Sequence, residues 1–134
     1  AMAANLREPG DLLRMPILRD ANSTLSWNLW LDEFGLDESQ LGEGHTFTDA
    51  ALCLDATIAG QGVMLAWATL AQYALEHGQL VAPFAHRAST GLGYYLVTSQ
   101  TRREPQKVAK FRRWIRAEIA RSFPDEVRRT TAGP

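Results

Sequence analysis

The stretch HTFTDAALCLDATIAGQGVMLAW, from His45 to Trp67, decides the fold class. His45-Thr46-Phe47 reads as a short extended segment. Thr48 or Asp49 can cap the helix that follows, Ala50 to Ala59, because both side chains accept hydrogen bonds from free backbone N–H groups. Gly60-Gln61-Gly62 ends the helix and turns the chain. Val63-Met64-Leu65-Ala66-Trp67 is apolar on both faces, as expected of a central strand covered on both sides. The unit is strand, capped helix, turn, buried strand. Its helix N-terminus lies beside a strand end and offers N–H groups suited to a carboxylate or another anion.

Upstream, Pro9-Gly10 marks a turn and Asp11-Leu12-Leu13 a short helical turn. Pro16-Ile17-Leu18 reads as a strand. Ser26 is placed to cap a helix whose face is Trp27, Trp30, Leu31 and Phe34, at i, i+3, i+4 and i+7, with Gly35 as its left-handed stop. The acidic stretch from Leu36 to Gly44 is a loop. Downstream, a helix over Thr69–Glu76 ends at His77-Gly78, and Leu80–Phe84 is extended, with Pro83 placing it at an edge. His86–Gly91 is a loop, and Leu92–Thr98 a strand on its aromatic and β-branched content. Pro105 suits the first position of a last helix, whose stripe is Val108, Phe111, Ile115 and Ile119 with Trp114 beside it. Pro124 stops that helix, and 128–134 are expected to fray. Strands alternating with helices give an α/β layered architecture.

The 134 residues fit one domain at most. Hydrophobic residues make up 46% and charged residues 22%, ordinary globular usage. No apolar run approaches the roughly 18 residues of a membrane span, and no signal peptide is visible. That points to the cytoplasm and away from a membrane. Ala1-Met2-Ala3 reads as an expression remnant. The formal charge of −1 hides an asymmetry: residues 1–101 carry 4 basic and 11 acidic side chains, and residues 102–134 carry 10 basic and 4 acidic. The basic residues of that last segment alternate with apolar ones at helical spacing, which favours a solvated helix face over a nucleic-acid contact.

Chemistry-bearing motifs are missing. Cys53 cannot pair within the chain and sits mid-helix without a nearby base, so it reads as a buried, inert thiol. His45 and His86 read as exposed loop residues, and His77 as a helix C-terminal residue facing free carbonyls. No spacing suggests a metal site. Asp49 and Asp55 make a poor acid–base pair. Ser89-Thr90-Gly91-Leu92-Gly93 precedes a strand and is no phosphate loop. No enzyme activity, catalytic residue, cofactor or metal is expected.

Six stretches together carry a resemblance: PGDLLRMPIL, SWNLWLDEFG, FTDAALCLDATIAGQGVML, GQLVAPF, GLGYYLVTS and KVAKFRRWI. In this order, from about Pro9 to Ile119, the chain resembles the effector-binding region of LysR-type transcriptional regulators, and within them the subgroup of glycine-cleavage and β-lactamase regulators. The resemblance implies a three-layer α/β sandwich of the type 2 periplasmic-binding-protein-like fold, here one subdomain plus a C-terminal helix. It implies residues 1–8 as remnant and linker, 9–101 as the second effector-binding subdomain, 102–123 as the C-terminal helix of the first, and 124–134 as a flexible tail. It also implies a small effector held in a cleft between subdomains, with Phe47, Thr48, Asp49, Trp67 and Tyr95 lining this side; the helix N-terminus at Thr48-Asp49 points to an anionic one, although the Asp49 carboxylate competes for the same amides. Promoter DNA would be met only through an N-terminal winged helix-turn-helix not found in this sequence, and the apolar stripe of the last helix points to a homodimer. The chain departs from the family pattern at Trp67-Ala68, where many relatives carry proline, and at Ala50, where they carry serine or threonine. The alternative reading is a solute-binding protein of a transporter, which shares the fold.

Overall fold

Ile17 and Leu18 organise the molecule, because successive residues of a strand point to opposite faces of its sheet. In the computed structural model, which describes residues 6–98 and 104–123, both lie in the central strand and are fully buried. Strand β1 (Ile17–Asp20) is flanked by β2 (Thr46–Phe47) and β3 (Val63–Met64) in the order β2-β1-β3. Both pairings are parallel, with Arg19 opposite Thr46, Asp20 opposite Phe47, Ile17 opposite Val63 and Leu18 opposite Met64. Ile17 packs with Leu6, Leu12, Trp27, Trp30 and Leu31. Leu18 packs with Cys53 and Ala56 of helix α2 (Ala50–Ile58), flanked by Phe47 and Met64. One side chain thus anchors each apolar layer to the sheet.

The helices follow local sequence rules. Asp49 caps α2, its Oδ1 accepting from the N–H groups of Ala51 at 2.7 Å and Leu52 at 3.3 Å. Beyond the last turn Gly60 takes a positive φ of 76°, a conformation a side chain would strain. Gly62 is needed for a different reason: a Cβ there would stand 2.5 Å from the Pro16 carbonyl oxygen, which accepts from Val63 N–H. Helix α1 (Asn28–Leu31) tightens into a 3-10 turn at Asp32–Phe34, and Gly35 closes it with φ 65°. Further 3-10 turns span Pro9–Arg14 and Glu38–Gln40. Helix α3 runs from Ala68 to Glu76 and buries Ala71 and Ala74.

Several expectations need correcting. The apolar run after Gly62 forms a strand only at Val63–Met64, and it is an edge of the described sheet; the centre is β1. Leu80–Phe84 and Leu92–Thr98 form no strand. Strand composition gives a segment the right side chains, but a strand exists only where a neighbour takes its backbone hydrogen bonds. Ser26 is not the N-cap itself. It stands one residue earlier, and its Oγ accepts from Asn28 N–H at 3.1 Å. Pro105 is the N-cap of α4 (Gln106–Ser122), not its first residue. Pro124 and the end of the chain lie outside the described residues.

The chain divides into two units, Ala1–Gly91 and Leu92–Pro134. The first holds the sheet and α1 to α3. In the second, the run from Leu92 to Thr98 is exposed and α4 is amphipathic: Val108 and Ile115 are half-buried, while Phe111, Trp114 and Ile119 are exposed. Phe111 and Trp114 rest on each other with ring centroids 5.7 Å apart. Arg112 pairs with Glu104 at 2.9 Å, and Arg121 with Glu118. No α4 residue is fully buried.

Candidate functional site

In an open parallel sheet, ligands bind in the crevice outside the carboxyl ends of the strands. Here that end is built by the turn after β1. Asp20 Oδ1 accepts from Asn22 N–H at 2.9 Å, and the Asp20 carbonyl accepts from Ser23 N–H at 3.1 Å. The turn is sewn to the end of β2: Ala21 N–H donates to the Phe47 carbonyl at 2.8 Å, and Asn22 Nδ2 donates to the Thr48 carbonyl at 2.6 Å.

Against this turn lies an open pocket of about 220 Å³, lined by Leu18, Arg19, Asp20, Ser23, Leu25, Trp27, Glu38 and Leu65. Trp27, Leu25, Leu18 and Leu65 give it apolar walls. Glu38 is held in place by α1. Its Oε2 accepts from Ser26 Oγ at 2.9 Å and from Trp27 N–H at 3.0 Å, and its own N–H donates to Asn28 Oδ1 at 2.6 Å. Next to it, the Ser39 hydroxyl and N–H hold the Asp37 carboxyl below the usual carboxylate range. The lining therefore mixes acidic residues, an arginine and a serine with apolar walls.

Phe47, Thr48 and Asp49 follow one another at the end of β2 and are tied to the Asp20–Asn22 turn. Phe47 is half-buried, whereas Thr48 and Asp49 are exposed. Asp49 already occupies the α2 amides that suited an anion. Trp67 is half-buried at the N-cap of α3, three residues beyond β3. Tyr95 is exposed and belongs to the second unit. None of these five is among the residues lining the pocket. The pocket residues went unread because Trp27 looked like core and Glu38 like loop. One signal was available: the polar run Asp20-Ala21-Asn22-Ser23 directly follows the first strand.

Cys53 is fully buried, and burial, with the Asp20 charge adding to it, pushes its thiol up; a thiol so placed is a poor nucleophile. His45 is exposed. His77 closes α3, its Nδ1 lying 2.8 Å from the Tyr73 carbonyl and its ring stacked on Tyr73. His86 is not the exposed loop residue expected. Its side chain is 25% exposed, it packs edge-on to Trp30 and Phe34, and its carbonyl accepts from the Trp30 indole at 3.2 Å. Among the described residues no group of His, Cys, Asp and Glu could hold a metal ion, and no helix is long and apolar enough to cross a membrane.

A parallel sheet covered on both faces, with a polar-rimmed pocket at its strand ends, defines a ligand-binding domain of the periplasmic-binding-protein-like fold. The chain belongs to the LysR substrate-binding domain family, whose profile matches residues 2–120. It is 37% identical over 115 residues to the glycine cleavage system transcriptional activator of Escherichia coli strain K12, covering 86% of this chain and 37% of that protein. It is 34% identical to the transcriptional activator AmpR of Pseudomonas aeruginosa, covering 85% of this chain and 38% of that protein. The solved effector domain of the Pseudomonas aeruginosa AmpR superposes with a TM-score of 0.68 at 31% identity, over 94% of this chain and 60% of that one. The chain thus spans well under half the length of these curated relatives.

Proposed function

We propose that this chain is the effector-sensing part of a bacterial LysR-type transcription regulator. A small molecule binding at the carboxyl ends of the strands biases the arrangement of the regulator and so controls transcription. This is a population shift driven by differential ligand contacts, not bond chemistry; the chain is no enzyme and needs no cofactor. The observation that carries the reading is the pocket at the end of β1, in a chain of this family. We assign residues 9–101 to the second effector-binding subdomain and 102–123 to the helix returning to the first. Beyond the lining of that pocket, we assign Phe47, Thr48, Asp49 and Trp67 of the first unit to the surroundings of the effector. It carries an anionic group, which must find donors other than the α2 amides held by Asp49. The regulator works in the cytoplasm as a homodimer, the exposed Phe111, Trp114 and Ile119 supporting such a contact. Promoter DNA is read by a winged helix-turn-helix of the parent protein.

The test is a reporter assay with the full-length regulator that carries this chain. Leu25→Ser, at a partly buried wall of the pocket, should alter metabolite-dependent transcription while leaving operator affinity unchanged. An unaltered response would refute the assignment of the site.

A further inference from the structure

Helix α1 has a pocket wall at its start and a clasp one turn later. Trp27, its N-cap, lines the β1 pocket, as does Glu38. The Trp27 N–H donates to Glu38 Oε2 at 3.0 Å, and the Trp27 carbonyl accepts from Trp30 N–H at 2.9 Å. The Trp30 indole in turn donates at 3.2 Å to the carbonyl of His86, 56 positions further along the chain. A line of hydrogen bonds thus runs from the pocket carboxylate across α1 to a distant segment. That segment is extended. Residues 80–91 contain no helix or strand, and from 84 to 90 they alternate between half-buried and exposed, with Phe84, His86 and Ala88 on the covered side. Phe84 and Ala88 pack against the cluster that holds Trp27, Trp30 and Leu31. Among the described residues, the ring, ionic and hydrogen-bond contacts of His86 all come from α1 and the 3-10 turn that closes it. Its ring lies 5.7 Å from that of Trp30 and 5.2 Å from that of Phe34, and its Nδ1 stands 3.9 Å from Glu33.

We infer that α1 transmits the state of the β1 pocket to the strap 84–88, through the chain of hydrogen bonds Glu38–Trp27–Trp30–His86. The inference rests on the effector-site reading above and adds how occupancy leaves the pocket. Glu38 Oε2 accepts from both Ser26 Oγ and Trp27 N–H. A ligand group that donates to this carboxylate competes with them, so the start of α1 has two discrete arrangements, held by Glu38 or released. An amide that loses its acceptor against apolar walls is costly to leave unpaired, so release moves the backbone of Trp27. Helix α1 has four residues, too few to be stable by its own hydrogen bonds, and its place is set by its partners. Trp27 and Trp30 share one buried cluster, and a close-packed interior passes a shift on instead of absorbing it. Trp30 therefore moves with Trp27, and the strap follows through the His86 carbonyl and the stacked rings. The first unit ends at Gly91, just beyond this strap, so the displacement is delivered to the boundary of the unit. Coupling of this kind is a differential contact made at one end and read at the other.

A double-mutant cycle on the isotope-labelled 134-residue chain tests this without a ligand, because Glu38→Ala removes the acceptor for which a ligand would compete. The readout is the backbone amide and carbonyl shifts of Phe84, His86, Arg87 and Ala88. Glu38→Ala should move these signals well clear of their line widths, and Glu38→Gln, which keeps an acceptor, should move them less. Trp30→Phe keeps a ring in the cluster and removes the indole donor. In that background the displacement caused by Glu38→Ala should fall by about threefold or more, the mark of two residues acting in one chain of contacts. Asp49→Ala, at the cap of α2, should leave the strap signals in place. If Glu38→Ala loses the dispersed spectrum of a folded protein, Glu38→Gln carries the cycle in its stead. Strap signals unmoved in a folded Glu38 variant, or moved equally with and without the Trp30 indole, would overturn the inference. The site reading would then stand, since no ligand enters the cycle. An unaltered reporter response with Leu25→Ser overturns the site instead, and with it the role of the coupling as a signal, whatever the cycle shows.

Discussion

Leu18→Ala should destabilise the first unit severely, and the size of the effect follows from where Leu18 sits. It is 1% exposed and packs against Cys53, which is fully buried, and Ala56, which is 6% exposed. The substitution removes three carbons. At about 0.8 kcal/mol per buried methylene, transfer alone costs about 2.4 kcal/mol. A cavity term adds to this, because small neighbours such as Cys53 and Ala56 have no side-chain length with which to fill the void. Leucine-to-alanine changes in such sites cost about 2–5 kcal/mol, so about 3 kcal/mol is expected here. Total stabilities run at about 5–15 kcal/mol, so the loss is a large share. It should lower Tm by at least about 12 °C, at roughly 4–8 °C per kcal/mol for a unit of this size. The assay is urea unfolding followed by tryptophan emission and far-ultraviolet circular dichroism. The comparison is Leu52→Ala, on α2 but 54% exposed, for which a change within about 0.5 kcal/mol is expected. A loss below about 1 kcal/mol for Leu18→Ala, or one equal to that of Leu52→Ala, would refute the view that Leu18 joins α2 to the sheet.

Gly62→Ala drives a Cβ to 2.5 Å from the Pro16 carbonyl; it should cost more than an ordinary glycine-to-alanine change and expose Val63 N–H to faster hydrogen exchange. Asp49→Ala removes the acceptor for Ala51 and Leu52 N–H and should cost about 1 kcal/mol in denaturant unfolding, with Asp49→Asn closer to the parent. The Ser39 hydroxyl and N–H hold the folded Asp37 carboxyl below the ordinary carboxylate range. The stability it contributes is present above the unfolded value and lost as pH falls through the folded one. Asp37→Ala should therefore flatten the stability profile below about pH 4, and an unchanged acid limb would count against the link.

The residues that could be read in isolation are those whose partners are close in sequence. Asp49 caps amides two and three residues on, Gly60 ends the helix it follows, and the stripe of α4 repeats at helical spacing. These rules act over a few residues, so the sequence carries them openly. Cys53 was legible as an inert thiol for the same reason: an apolar helix with no base nearby.

The pocket was not legible, because its walls come from segments near 18–27, 38 and 65 that meet only when the sheet forms. Trp27 supplies both a core face and a pocket wall, and periodicity reports only the first. Glu38 is drawn in by Ser26, Trp27 and Asn28, some ten residues away along the chain. His86 looked like loop until Trp30, 56 positions earlier, donated to its carbonyl. The α/β class, the Asp49 cap, the Gly35 and Gly60 stops and the family were legible in the residues themselves. The central place of β1, the edge position of 63–64 and the lack of a strand over 92–98 came from the folded molecule alone, because strand pairing joins residues such as Ile17 and Val63. Their meeting depends on the closing of the chain between them and leaves no periodic mark in either segment.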